Sequence, residues 1–127
     1  MTYPEEFLYT KDHEWMKKDA NTARIGVSSY AVEQLGDVVH VDLPTVGSEF
    51  SKGEAFGTIE STKTVSDIYA PCSGKVIAVN EKLLDEPEAL ADDPYEGGWL
   101  VEIELQEESD NILMTSSKYV DYLQSVN

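Results

Sequence analysis

A mainly β fold is predicted: a flattened barrel-sandwich of two small antiparallel sheets, with one short crossing helix and a C-terminal helix. Three observations carry this. Short segments rich in β-branched and aromatic residues recur along the chain, with turn signals between nearly all of them. A tight hairpin at about residues 57–71 carries a lysine, Lys63, at its tip. On either side of it, Val38 to Ser61 and Gly74 to Leu105 share a layout of strand, turn and second strand, which suggests a weak internal repeat of two equivalent halves. At 127 residues and 41% hydrophobic content the chain reads as one domain, 1–127, with a modest core.

The elements follow in order. Strands are expected at Phe7–Thr10, Glu14–Lys17 and Thr22–Val27. Ser28 or Ser29 then caps a helix through Leu35, and Gly36 is suited to its end. Strands resume at Val38–Asp42 and Ala55–Ser61, and after the tip at Val65–Ala70, Gly74–Asn80 and Trp99–Leu105. Between the last two, Leu84 to Tyr95 is acidic and bracketed by Pro87 and Pro94, so it reads as an inserted loop holding at most one short helical turn. Ser116 or Ser117 caps the last helix, where Tyr119 and Leu123, with Tyr122 and Val126, recur at helical spacing.

The hairpin is the informative element. Its connection around Thr62 and Lys63 has no Gly or Asn, so a type I turn is expected rather than the primed turns that usually close two-residue hairpins. Local propensity does not choose this turn, and such mismatches concentrate at functional sites. The flanking residues are small or hydroxylated, and the nearest other lysines are Lys52 and Lys75. A modifying enzyme reading local shape would meet one amine here. The pattern is that of a carrier lysine holding a swinging cofactor arm.

The remaining composition excludes more than it proposes. A formal charge of -16, from 25 acidic and 9 basic residues, repels nucleic-acid backbones and anionic membranes and favours protein partners. No apolar run is long enough to span a bilayer, and the start lacks the character of a signal or transit peptide, so a soluble mature chain is expected. Cys72 is the only cysteine and is assigned no function. His13 and His40 have no second ligand at zinc spacing, so no metal is expected. Neither a nucleophile elbow nor a phosphate-cradling Gly-rich loop occurs. The chain has little equipment for chemistry of its own.

The residues Tyr9-Thr10-Lys11-Asp12-His13-Glu14-Trp15, Gln34-Leu35-Gly36-Asp37, Glu60-Ser61-Thr62-Lys63, Ser66-Asp67-Ile68-Tyr69-Ala70-Pro71, Asp93-Pro94-Tyr95 and Gly98-Trp99-Leu100 occur in this order through most of the length. Together they resemble the H proteins of the glycine cleavage system, which are lipoyl carriers with the lipoyl/biotinyl-carrier type of fold. The resemblance implies a non-catalytic subunit with lipoate joined by an amide to Lys63. It also implies three partner enzymes. A pyridoxal-phosphate glycine decarboxylase (P protein) loads an aminomethyl group, a tetrahydrofolate-dependent aminomethyltransferase (T protein) removes it, and dihydrolipoamide dehydrogenase (L protein) reoxidises the dithiol. Lipoate-attaching enzymes make the amide, which needs an activated acyl donor because an exposed lysine amine is protonated near neutrality. A cytoplasmic location is implied for a bacterial chain, the mitochondrial matrix for a processed eukaryotic one.

The loaded arm ends in an amine that is cationic when protonated, and free in solution it could decompose to formaldehyde and ammonia. Asp67, on the outgoing strand, and Glu14, in the segment that the resemblance puts beside the carrier cleft, are the candidates to receive that cation. Trp15, Trp99 and the tyrosines are read as core. A biotin carrier typically flanks its lysine with methionines, whereas Thr62 and Thr64 stand here. A lipoyl domain of a 2-oxo acid dehydrogenase would bring a linker and a catalytic core. A Schiff-base lysine would need a desolvated pocket rather than a hairpin tip. An H-like protein relaying lipoate to other enzymes, or acting in lipoyl-linked signalling, remains the alternative.

Overall fold

The structure, a computed structural model, describes residues 3–106 and 113–126. Its strands are β1 (Leu8–Tyr9), β2 (Glu14–Asp19), β3 (Thr22–Val27), β4 (Val38–Asp42), β5 (Glu49–Phe50), β6 (Ala55–Ser61), β7 (Val65–Tyr69), β8 (Gly74–Val79) and β9 (Val101–Leu105). The helices are α1 (Ser29–Leu35), α2 (Lys82–Asp85), α3 (Ala89–Asp92) and α4 (Ser116–Val126). The two sheets are antiparallel, as expected. One has six strands in the order β1-β2-β3-β9-β8-β5, the other three in the order β4-β6-β7, and neither closes into a barrel.

Alternation along the strands builds the core between the sheets. Ile25, Val76 and Ile103 point inward from the six-stranded sheet, Val41, Ile59 and Ile68 from the three-stranded one, and all six are almost wholly buried. A second, aromatic cluster fixes α4 against the rest. Tyr9 stacks on Tyr119 with ring centroids 4.7 Å apart, and Phe7 on Trp15 at 4.5 Å. Trp15 lies over Gly26 on the neighbouring strand, where a Cβ would sit 2.6 Å from the indole ring. Of the aromatic residues expected in the core, Trp15, Tyr9 and Tyr119 are buried, whereas Tyr69 is exposed.

Four expectations are corrected. The two flanking stretches are not equivalent halves: Val38–Ser61 divides its strands between both sheets, while β8 and β9 are neighbours in one. Strand β5 was not expected, because two residues cannot display an alternation; its pairing of Glu49 with Lys75 and Phe50 with Gly74 creates it. The acidic excursion is not a simple loop. It forms α2 and α3 on either side of Pro87, anchored by the fully buried Leu83 and Leu90, with α2 against β4 and α3 against α1. Finally, α4 is capped by Thr115, whose Oγ1 accepts from Lys118 N–H at 3.3 Å, rather than by Ser116 or Ser117. The Val126 side chain lies outside the described residues.

Candidate functional site

The tip is built by backbone economy. Strand β6 ends at Ser61 and β7 starts at Val65, leaving Thr62, Lys63 and Thr64 as the connection. No residue of the tip has positive φ, consistent with a turn that lacks glycine. Ser61 N–H donates to Thr64 O at 2.8 Å, and the Ser61 hydroxyl accepts from both Lys63 N–H and Thr64 N–H at 3.2 Å. That side chain adds side-chain-to-backbone bonds that hold the turn. Thr62 N–H donates to Asp37 O at 3.1 Å, which ties the tip to the turn after α1. Lys63 is therefore exposed on a well-held support.

The Lys63 side chain runs over Gly36, the end of α1. Gly36 has φ 81, and a Cβ there would lie 3.3 Å from Lys63 Cε. The glycine serves both the helix end and the path of the lysine.

Beside the tip lies a cleft of about 330 Å³. Its walls are α1 through Ala31, Gln34 and Leu35, the turn Asp12 to Glu14, and the hairpin through Ile59, Thr64, Ser66, Asp67 and Ile68. Both carboxylates anticipated from the sequence, Glu14 and Asp67, line it, although they lie 53 positions apart and their environments differ. Asp67 is exposed. Glu14 is 2% exposed, receives a 2.7 Å hydrogen bond from Thr10 Oγ1, and accepts from Tyr69 N–H at 3.3 Å. The latter closes the free edge of β7, the outer strand of the small sheet. Burial pushes the Glu14 carboxyl up to about 7, against the opposing pull of these two hydrogen bonds.

Ser61, Thr10 and Gly36 belong to the site but were not read as such. A hydroxyl four residues before Glu14, and a serine two before Lys63, were the available signals. A larger groove, of about 670 Å³, lies on the six-stranded sheet and holds neither Lys63 nor either candidate carboxylate. Its Arg24 is paired with Glu102 at 3.7 Å and sits 4.6 Å over the Trp99 ring. Cys72 is buried, with its thiol against Met16 Sδ at 3.4 Å. Among the described residues no helix is long and apolar enough to cross a membrane.

The sequence model of the family described as glycine cleavage H-protein matches residues 7–126. The chain is similar to a glycine cleavage system H protein of Halothermothrix orenii, with 47% identity over 99% of each chain. It is also similar to one of Listeria monocytogenes serotype 4b, with 50% identity over 94% of this chain and 96% of the relative. Among solved structures, a glycine cleavage system H protein from Mycobacterium marinum superposes with a TM-score of 0.90 at 42% identity, covering 96% of this chain and 99% of the other.

Proposed function

Because the chain belongs to the glycine cleavage H-protein family, the lipoyl carriers of that system, we propose that Lys63 is its lipoyl attachment site and that the cleft beside it receives the loaded arm. The protein is a non-catalytic carrier, and membership of the system implies that it works with partner enzymes. The finer assignment of those partners is the glycine decarboxylase, the aminomethyltransferase, the dihydrolipoamide dehydrogenase and the enzymes that attach lipoate. The lipoyl group supplies the reactive dithiol, and the residues of this chain present and shelter it. The names of the relatives favour this reading over a lipoate relay.

One observation carries the reading: an exposed lysine on a well-held tip, with its alkyl chain running over a glycine, stands beside a cleft whose buried carboxyl pairs with no cation among the described residues. The residues fit the group. The walls are apolar at Leu35, Ile59 and Ile68, which suits an alkyl arm, and acidic at Glu14 and Asp67, which suits a terminal ammonium. Glu14, held by Thr10 and Tyr69 N–H, takes the cation; exposed Asp67 adds charge at the cleft wall.

The test is covalent. Protein incubated with lipoate, ATP to activate its carboxyl and a lipoate-attaching enzyme should gain the mass of one lipoyl amide, mapped by peptide analysis to Lys63. Lipoate on Lys52 or Lys75, or biotin on Lys63, would overturn the assignment.

A further inference from the structure

His13 lines the same cleft, and its ring is held by groups that the carrier reading does not use. Its φ of 71 places a non-glycine residue in the left-handed region. Two backbone bonds keep it there: His13 N–H donates to Thr10 O at 3.1 Å, and Ser28 N–H to His13 O at 2.9 Å. Strain maintained in this way at a cleft points to a constrained side chain. The His13 Nδ1 lies 2.8 Å from the hydroxyl of Tyr119 on α4, and that hydroxyl lies 2.7 Å from Ser28 Oγ.

Hydrogen-bond accounting orients this chain of three groups. Ser28 and Tyr119 are both 0% exposed, so neither hydroxyl proton can turn to water. Ser28 Oγ already accepts from Ala31 N–H at 3.3 Å, and among the described residues the acceptor within reach of its own proton is the Tyr119 oxygen. Ser28 therefore donates to Tyr119. The Tyr119 proton, which burial holds on the phenol, is left to be donated to His13 Nδ1. A nitrogen that accepts carries no proton, so the neutral ring has its hydrogen on Nε2. Protonating the ring would reverse the relay and leave the Ser28 hydroxyl with a buried, unsatisfied proton.

We propose that Tyr119 and Ser28 are positioning residues that lock His13 as the neutral Nε2–H tautomer, keeping positive charge away from the end of the cleft that receives a cationic cargo. The proposal rests on the carrier reading given above. The charged groups facing His13 mostly oppose it. Asp12 and Glu14 flank it, Asp67 lies across the cleft, Tyr30 of α1 is 4.7 Å away, and Tyr122 of α4 carries Lys11 over its ring at 6.0 Å. The surrounding charge is mainly negative and by itself would favour an imidazolium. Burial nevertheless holds His13 below its ordinary value, against the pull of Asp12, and the relay acts in the same direction.

The test begins on protein without lipoate, uniformly labelled with nitrogen-15. The His13 ring nitrogens, distinguished from those of His40 by a His40→Asn variant, should show an unprotonated Nδ1 and a protonated Nε2, and a titration below 6.5. Tyr119→Phe should mix the tautomers and raise that titration by about one pH unit. A proton on Nδ1 in wild type, or an unchanged titration in Tyr119→Phe, overturns the inference without touching the carrier reading. The wild-type spectrum decides the tautomer even if the variant folds poorly. On aminomethyl-loaded protein, Tyr119→Phe should hold a larger imidazolium fraction than wild type at pH ~6 and lose its cargo correspondingly faster there, but not at pH ~8. Equal loss at both pH values severs the relay from the cleft. A wild-type protein that lipoylates but takes no cargo sinks the carrier reading instead.

Discussion

At the scale of single residues, Glu14 and Lys63 have opposite requirements, one to be hidden and one to be shown. Glu14 titrates near 4.5 when unfolded and near 7 when folded, so the folded protein holds an extra proton between those values. Its contribution to stability is present below pH 4.5, falls through the window and is lost above 7. Replacing it with neutral Gln should therefore raise the unfolding free energy at pH ~8 by on the order of 1–3 kcal/mol, with little gain at pH ~4. Denaturant titrations at the two pH values check this, and an equal effect at both would show that burial is not what raises the carboxyl. The same substitution should speed the loss of formaldehyde and ammonia from loaded protein, with Asp67→Asn the milder of the two because Asp67 is exposed. Ammonia release from wild type and both variants, after the decarboxylase is removed, measures it; three equal rates would mean that neither carboxylate holds the cargo. Lys63→Arg should fold normally and accept no lipoate, read by thermal unfolding and intact mass.

At the scale of elements, the hairpin and α1 form one unit through Gly36 and the Thr62–Asp37 bond. Gly36→Ala should destabilise the fold by about 1–2 kcal/mol through its positive φ. It should also slow lipoate attachment, because the new methyl meets Lys63 Cε at 3.3 Å. Gly47→Ala is the control, since Gly47 has φ 97 with nothing within 4 Å of a Cβ. It should cost similar stability and leave the attachment rate unchanged. Comparable slowing in both variants would mean that strain, rather than contact with the lysine, governs access to the arm. Helix α4 acts at this scale as well: Tyr119 brings a hydroxyl to His13, which lies 106 positions away in sequence.

At the scale of the whole molecule, the net charge of -16 is the dominant property: 25 acidic residues stand against 9 basic ones. Arg24 with Glu102 is the ion pair among the described residues. The acidic surface is available to steer the molecule toward any partner enzyme that presents a basic surface. Association with the decarboxylase proposed above as a partner should accordingly slow as ionic strength rises from ~0.02 to ~0.3 M, while lipoate attachment at saturating enzyme changes little. Stopped-flow association across that range tests this, and a salt-independent rate would mean that the acidity serves solubility alone.

Patterning along the chain determined the β class, the bounds of β3, β4 and β6, the reach of α1 and the lysine at the tip, because each is a local property of alternation, capping and turn chemistry. Glu14 and Asp67 were also nameable from the sequence, but as two acids among 25. Only the tertiary structure decided that they share a cleft and that one of them is buried, since those facts depend on the edge of β7 meeting the turn before β2. The unequal division into six and three strands, the pairing of β5, and the packing of Leu83 and Leu90 beneath an acidic segment were likewise set by contacts distant in sequence. So was the hydroxyl relay to His13. A sequence records what each residue tends to do beside its neighbours; burial, which raises the Glu14 carboxyl, comes into being only when separate elements close over it.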